Sequence, residues 1–411
     1  MTRELRTARI GAIVTFVLAG LLCGSFTVRI PALADRLELN EAAVGAVLLA
    51  WGVGALVTMQ SMRAVMARAG SHAVLRVGGP LCAAALVLVA LAPNFPLLLA
   101  GAAAFGMAFG TVDIAMNAQG SVVERAAGRH LMNGMHAGWC VGAISAGLLG
   151  TLAITAGLPY GTHLTLVAVA ALPVLIVIGR AYLAEPRQDA GRGARTGARR
   201  VPPVVYLLGV IAFCAFMVEG TIADWNGLFL QNTLGAPEAL AALGYPLFEA
   251  GMLAGRLAGD RVRARVGAPA LLGLSGLATA ATFAVVVSAP TAAVAIIGMV
   301  FVGVAVATIS PVALSLAGTA TGSPGPAIAQ TSAMGYAGLL LGPVVIGFVS
   351  DHASLRTAMF SAVVLGVVIA IMTRLLPRRP AVPERPVLQL TALPGVRAEE
   401  VRQAAKDPMA A

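Results

Sequence analysis

The chain has 411 residues, of which 58% are apolar and only 11% charged, against about 25% charged in an average soluble domain. Such a balance excludes a water-soluble globular protein, because that much apolar surface cannot all be hidden from water. The formal charge of +10 comes from 27 Arg and the single Lys406, which stand at the ends of apolar segments and not on one amphipathic face; topology explains it better than nucleic acid does.

A membrane-spanning helix needs about 20 mainly apolar residues, and such segments fall at 10–28, 42–60, 73–92, 96–121, 131–156, 163–183, 203–230, 239–258, 269–289, 291–316, 326–349 and 354–375. The expected fold is therefore an all-α membrane protein of about twelve transmembrane helices, with no room for a soluble domain. Arg3, Arg6 and Arg9 before the first segment resemble the start of a signal peptide, and Cys23 a lipoprotein site. Leu21 and Leu22 are too large for that processing, and the apolar run continues to Val28, so the segment reads as an uncleaved first helix. The cysteines Cys23, Cys82, Cys140 and Cys214 lie singly in apolar stretches and read as small packing residues, without a disulfide framework or a metal site.

Charge tests the count independently. Arg63 and Arg68 follow the second segment, Arg125 and Arg129 the fourth, and Arg256, Arg261, Arg263 and Arg265 the eighth, while the other side carries only Arg29, Arg36 and Arg356. By the positive-inside rule both termini are expected in the cytoplasm and the chain in the inner, cytoplasmic membrane. The basic stretch 184–202 then divides a first six-helix half, 1–183, from a second, 203–376. Residues 377–411, with Pro377, Pro380, Pro383, Pro386 and Pro394, read as an extended cytoplasmic tail.

The two halves are related. A shift of 197 residues sets Gly54, Arg68 and Gly70 against Gly251, Arg265 and Gly267, and Asn133, Gly138, Trp139 and Gly150 against Gln330, Gly335, Tyr336 and Gly347, with no gap. Polar and aromatic matches at one common offset indicate two pseudo-symmetric halves.

Polar groups within spanning helices are expensive and usually face a cavity or a partner. Asp113 and Asn117 lie one turn apart on the fourth helix and share a face. A carboxylate desolvated there is a candidate for carrying a coupling proton, with a structural hydrogen bond to a neighbouring helix as the alternative. Asn133 and His136 share a side of the fifth helix, and if the fourth and fifth helices are neighbours, Asp113 and His136 form a proton-sharing pair. Glu219 falls near the middle of the seventh helix, with Asp224 and Trp225 nearer its outer end; Trp225 is either a stacking surface for a sugar-like ring or an interfacial anchor. Glu249 on the eighth helix and Gln330 on the eleventh complete the candidates for a substrate and proton cavity, packing being the alternative for each.

The stretch Gly255-Arg256-Leu257-Ala258-Gly259-Asp260-Arg261, running on through Arg265 to Gly267, together with two six-helix halves and a basic middle loop, resembles the major facilitator superfamily. Its loop signature is kept in part between Gln60 and Gly70, where the Asp is missing. Three further stretches resemble the branch that includes rhizopine-transport proteins of the MosC type and the YbjJ-like membrane proteins: Asp113 to Gly120 with Glu124, Met132 to Gly138, and Glu219-Gly220 followed by Ala223-Asp224-Trp225. The resemblance implies a central cavity reached alternately from each side, proton-coupled transport of sugar-like or other small polar solutes, and a conformational rather than ligand-binding role for Gly255, Arg256, Asp260, Arg261 and Arg265.

The expected function is thus a secondary active transporter, not an enzyme: a symporter moving a sugar-, polyol- or rhizopine-like solute by alternating access, with a proton as coupling ion, no cofactor or metal, no nucleic acid, and the lipid bilayer and a small molecule as its partners, working as a monomer. The alternative is a proton-driven efflux antiporter of drugs or metabolites, for which the 15 Met and 13 Phe would supply an adaptable cavity. A non-transporting membrane sensor fits less well, since no soluble domain is left to signal.

Overall fold

Inside a bilayer a segment must satisfy its own backbone hydrogen bonds, which leaves helices as the solution for runs of this length. The computed structural model describes residues 2–128, 131–184, 202–320 and 324–376, and among these it contains helices and no strand. The linker from 185, the tail from 377, and the side chains of a few helical residues, Arg63, Asn133 and Asp260 among them, lie outside the described residues. The expectations for Asn133 and Asp260 therefore stay with the sequence.

The first half comprises α1 (Arg3–Val28), α2 (Glu41–Met62), α3 (Arg68–Leu91), α4 (Phe95–Ala127), α5 (Met132–Thr155) and α6 (Tyr160–Ile178). In the second are α7 (Pro203–Thr233), whose last turn Phe229–Thr233 is π-helical, α8 (Gly244–Val266), α9 (Ala268–Val287), α10 (Ala292–Thr319), α11 (Pro324–His352) and α12 (Leu355–Arg374). Short helices Ile30–Leu37 and Glu238–Ala241 lie in the connections after α1 and before α8. Short connections turn each helix back along its predecessor, so among the described residues one end of the bundle gathers Arg3, Arg6, Arg125, Arg261 and Arg265, and the other Arg29, Arg36 and Arg356.

Eleven of the twelve helices are long and apolar enough to cross a membrane, and α8 is the exception. Its segment starts at Gly244 instead of 239 and carries Glu249, Arg256, Asp260, Arg261, Arg263 and Arg265. Packing holds it in place, since α8 lies against α10 within its own half and α5 of the other. The twelfth apolar span expected from the sequence is thus a polar helix sheltered by its neighbours.

Offset matches recur as contacts. Gly70 (φ 77°, ψ 160°) and Gly267 (φ 84°, ψ 158°) turn the chain from α2 into α3 and from α8 into α9 in a region open essentially to glycine alone. Asn94 and Thr291, also 197 apart, cap α4 and α10 by accepting from Leu97 N at 3.1 Å and Val294 N at 3.5 Å. A Cβ on Gly106 would stand 1.8 Å from the Trp51 carbonyl oxygen, and one on Gly303, 2.1 Å from that of Phe248. So α4 meets α2 as α10 meets α8, backbone against backbone. In the same way α1 packs on α5 as α7 packs on α11.

Candidate functional site

The halves meet along two seams, α2 against α11 and α5 against α8. Small residues let the first close tightly: a Cβ on Gly45 would lie 2.9 Å from the Pro343 carbonyl oxygen, and one on Gly347, 2.9 Å from that of Glu41. At the Arg-poor end the halves are tied by polar contacts. Asn40 Nδ2 donates to Asp351 Oδ1 (3.2 Å), Gln231 Nε2 donates to Asp35 Oδ2 (3.1 Å), and Arg29 pairs with Glu238 at 3.6 Å. Burial pulls the Arg29 guanidinium below its ordinary range, and the Glu238 charge offsets part of that pull. This end is closed.

Deeper in, the polar residues of both halves converge on one cleft. Asp113 on α4 receives Tyr336 OH from α11 on Oδ2 at 2.9 Å and Asn117 Nδ2 on Oδ1 at 3.3 Å. Asn117 also donates to the Asp113 carbonyl at 2.8 Å, which holds its amide beside the carboxylate. Tyr336 therefore joins the halves at a half-buried carboxylate. One turn from Asp113, Phe109 bridges Trp51 of α2 and Trp139 of α5, with ring centroids at 5.3 and 5.7 Å, so an aromatic wall flanks it.

Opposite stand the acids of the second half. Glu219 on α7 accepts from Ser310 Oγ at 3.1 Å, where α10 breaks between Val306 and Ile309. Glu249 on α8 is buried beside Tyr245 and Cys140. Asp224 lies half-buried on α7, across from Cys23 of α1, whose surroundings also include Asp113 and Glu249. Among the described residues no group of His, Cys, Asp and Glu is arranged to hold a metal ion.

Four expectations need correction. Asp113 and His136 are not a pair: Asp113 is bonded to Tyr336 and Asn117, and His136 instead sets its ring edge-on to Phe16 of α1 at 5.0 Å. Trp225 neither lines the cleft nor anchors at an interface. It is fully buried, with its ring edge toward Gly347 of α11, as tight packing of α7 on α11 demands. Arg256 is no loop residue, because α8 continues to Val266; its Nη1 donates to Cys140 Sγ on α5 at 3.3 Å, inside the α5–α8 seam. Cys140 is accordingly more than a packing residue.

The other signature residues behave differently. Gly255 lets α8 approach α10, where a Cβ would meet Ala307 and the Val304 carbonyl at 2.7 Å. Arg261 and Arg265 are exposed at the Arg-rich end, Arg261 donating to the Leu257 carbonyl of its own helix. Gln330 is half-buried near the same end of α11. Glu124, part of the branch resemblance, accepts from Leu131 N (2.5 Å) and Met132 N (2.8 Å) and so caps the start of α5.

Tyr336, Ser310, Tyr245 and Cys23 were not among the expected site residues. The offset carried a signal for two of them, since it sets Tyr336 against Trp139 and Ser310 against Asp113, both residues of the cleft. Tyr245 and Cys23 look like ordinary apolar-segment residues and only packing reveals them.

Three comparisons bear on this arrangement. A family model described as Major Facilitator Superfamily matches residues 12–331. An uncharacterized MFS-type transporter of Yersinia pestis is 32% identical over 370 residues, 88% of this chain and 94% of its own, and the membrane protein MosC of Rhizobium meliloti is 28% identical over 362 residues, 86% of each. Among solved structures, a variant of the nucleoside transporter NupG superposes with a TM-score of 0.75 at 16% identity, covering 90% of this chain and 99% of that one, a likeness of fold.

Proposed function

The chain belongs to the major facilitator superfamily, and from that premise we propose that it is a proton-coupled symporter of a small polar, sugar- or polyol-like solute, working as a monomer in the cytoplasmic membrane. In this reading the Arg-rich end and both termini face the cytoplasm, so a bundle tied at the Arg-poor end is open inward. Asp113 carries the coupling proton. The observation that carries the reading is the Tyr336–Asp113 hydrogen bond, which places a carboxylate at the joint between the halves, where the rocking motion breaks and remakes its contacts.

Protonation of Asp113 leaves Oδ2 a poorer acceptor, weakens the bond to Tyr336 and frees the halves to move. Solute binding beside the aromatic wall of Trp51, Phe109 and Trp139 suits a ring with an apolar face and hydroxyl edges. Solutes of that kind are consistent with the likeness to a nucleoside transporter.

The test is uptake into proteoliposomes of radiolabelled polyols, pentoses and nucleosides, with and without an inward proton gradient. The expected result is concentrative uptake of at least one of them that collapses with the gradient. Asp113→Asn should abolish accumulation while leaving exchange of solute across the bilayer. Tyr336→Phe, which frees the halves without a proton on Asp113, should cut gradient-driven accumulation by about tenfold, at the lower end for a hydrogen bond to a charged group. Efflux of hydrophobic dyes with no polar-solute uptake would overturn the reading.

A further inference from the structure

Arg256 is a guanidinium with five donors, and its one hydrogen bond among the described residues goes to a thiol, a weak acceptor. Glu219 and Glu249 are close enough to act on its charge, yet neither ion-pairs with it, the one ion pair among the described residues being that of Arg29 and Glu238. Two turns earlier on the same helix, Glu249 is 5% exposed, with Cys140 and Tyr245 beside its carboxyl and Oε2 buried with no hydrogen-bond partner. Opposite charges that share a cleft of low dielectric attract strongly, and an unsatisfied buried carboxylate oxygen is costly. Cys140, reaching in from α5 of the other half, occupies the guanidinium without satisfying it.

We propose that the space between Arg256 and Glu249, bounded by Cys140 and Tyr245, is a subsite for a vicinal diol, in which one hydroxyl oxygen accepts from Arg256 and the adjacent hydroxyl donates to Glu249 Oε2. The choice of ligand follows from charge. A carboxylate or phosphate on the solute would face both Glu219 and Glu249, and an ammonium group would face Arg256. A hydroxyl is neutral and both donates and accepts, so two on neighbouring carbons satisfy both groups at once. The subsite spans the α5–α8 seam, so the solute it holds touches both halves. This inference rests on the reading of the protein as a carrier of polar solutes and assigns which part of the solute the second half grips.

Purified full-length protein titrated with D-mannitol, myo-inositol and D-xylose tests it, followed by competition with cis-1,2-cyclohexanediol and with 1,4-cyclohexanediol. Binding of at least one polyol is expected, with competition by the 1,2-diol and none by the 1,4-diol. Arg256→Gln and Glu249→Gln should each weaken binding about tenfold or more, and the double variant should weaken it no further than the weaker single variant, because one bridging ligand couples the two. Unaltered melting temperatures of the ligand-free variants separate binding from folding, and if Glu249→Gln does not purify, the diol competition on wild-type protein decides alone. Polyol binding that both single variants retain in full, or equal competition by the two diols, removes the subsite and leaves the transporter reading standing. Transport of a hydrophobic cation with no polyol bound removes both.

Discussion

The two halves repeat a skeleton and diverge in chemistry. Gly70 and Gly267 share one unusual backbone conformation, and Gly106 and Gly303 press equivalent carbonyls across equivalent helix pairs. Where charge matters the same offset pairs unlike residues: Gly52 with Glu249, Met59 with Arg256, Asp113 with Ser310. The consequence is visible at the seams. On one side Gly52 of α2 sits against Leu340 of α11, where a Cβ would come within 2.8 Å of Leu340 Cδ1. Across the molecule Arg256 of α8 reaches Cys140 of α5. One seam is closed by small residues and van der Waals contact, and the other carries a guanidinium that reaches a thiol across it. Backbone positions that set helix approach tolerate little change, whereas side chains facing the cleft are free to specialise, and this difference separates scaffold from site.

The sharpest way to break the comparison is through the glycines that make it. Gly106→Ala and Gly303→Ala each place a Cβ against backbone that cannot rotate away, and each should cost about 3 kcal/mol, toward the upper end for overpacking. Both variants should lose most of their monodisperse protein in gel filtration, and a large loss in one with none in the other would show that the halves do not share this contact. Somewhat smaller effects are expected from Gly70→Ala and Gly267→Ala, about 1–3 kcal/mol each for a conformation that side chains disfavour, read as equal falls in thermal stability. Unequal falls would mean that one turn carries strain the other lacks.

The smallest effect concerns the closed end. Glu238→Gln removes the partner of Arg29, and because Glu238 is one-third exposed the change should shift the balance between closed and open Arg-poor ends by only about 1 kcal/mol. Distance measurements between labels on the connections after α1 and α7 should show a larger fraction of separated halves. An unchanged distribution would mean that the Asn40–Asp351 and Asp35–Gln231 contacts hold this end by themselves. High salt should mimic the variant, since screening acts on the same exposed pair.

Helix positions were legible because apolar runs of membrane length have one structural solution, and eleven of the expected spans match helices to within a few residues at most ends. The twelfth differs only in kind: 239–258 looks apolar in its first turns, while the helix that forms there, Gly244–Val266, carries six charged residues. At the site, Asp113, Asn117, Glu219, Asp224 and Glu249 could be picked out from their rarity in apolar surroundings, and Asp113 and Asn117 do share a hydrogen bond. Their partners could not. Tyr336 is marked only by its match to Trp139 and Cys140 by nothing in its own segment, and both gain their partners from helices more than a hundred residues away.

Local chemistry therefore determined this protein's helices, its internal repeat and which carboxylates are out of place, because hydropathy and glycine spacing act within a turn or a span. Tertiary structure alone decided that Asp113 bonds to Tyr336 and not to His136, that Trp225 is packing, and that Arg256 lies in the α5–α8 seam. Each of these depends on which faces of distant helices meet, and in a bundle whose helices are apolar nearly all round, that is settled by close packing and not by the pattern along any one of them.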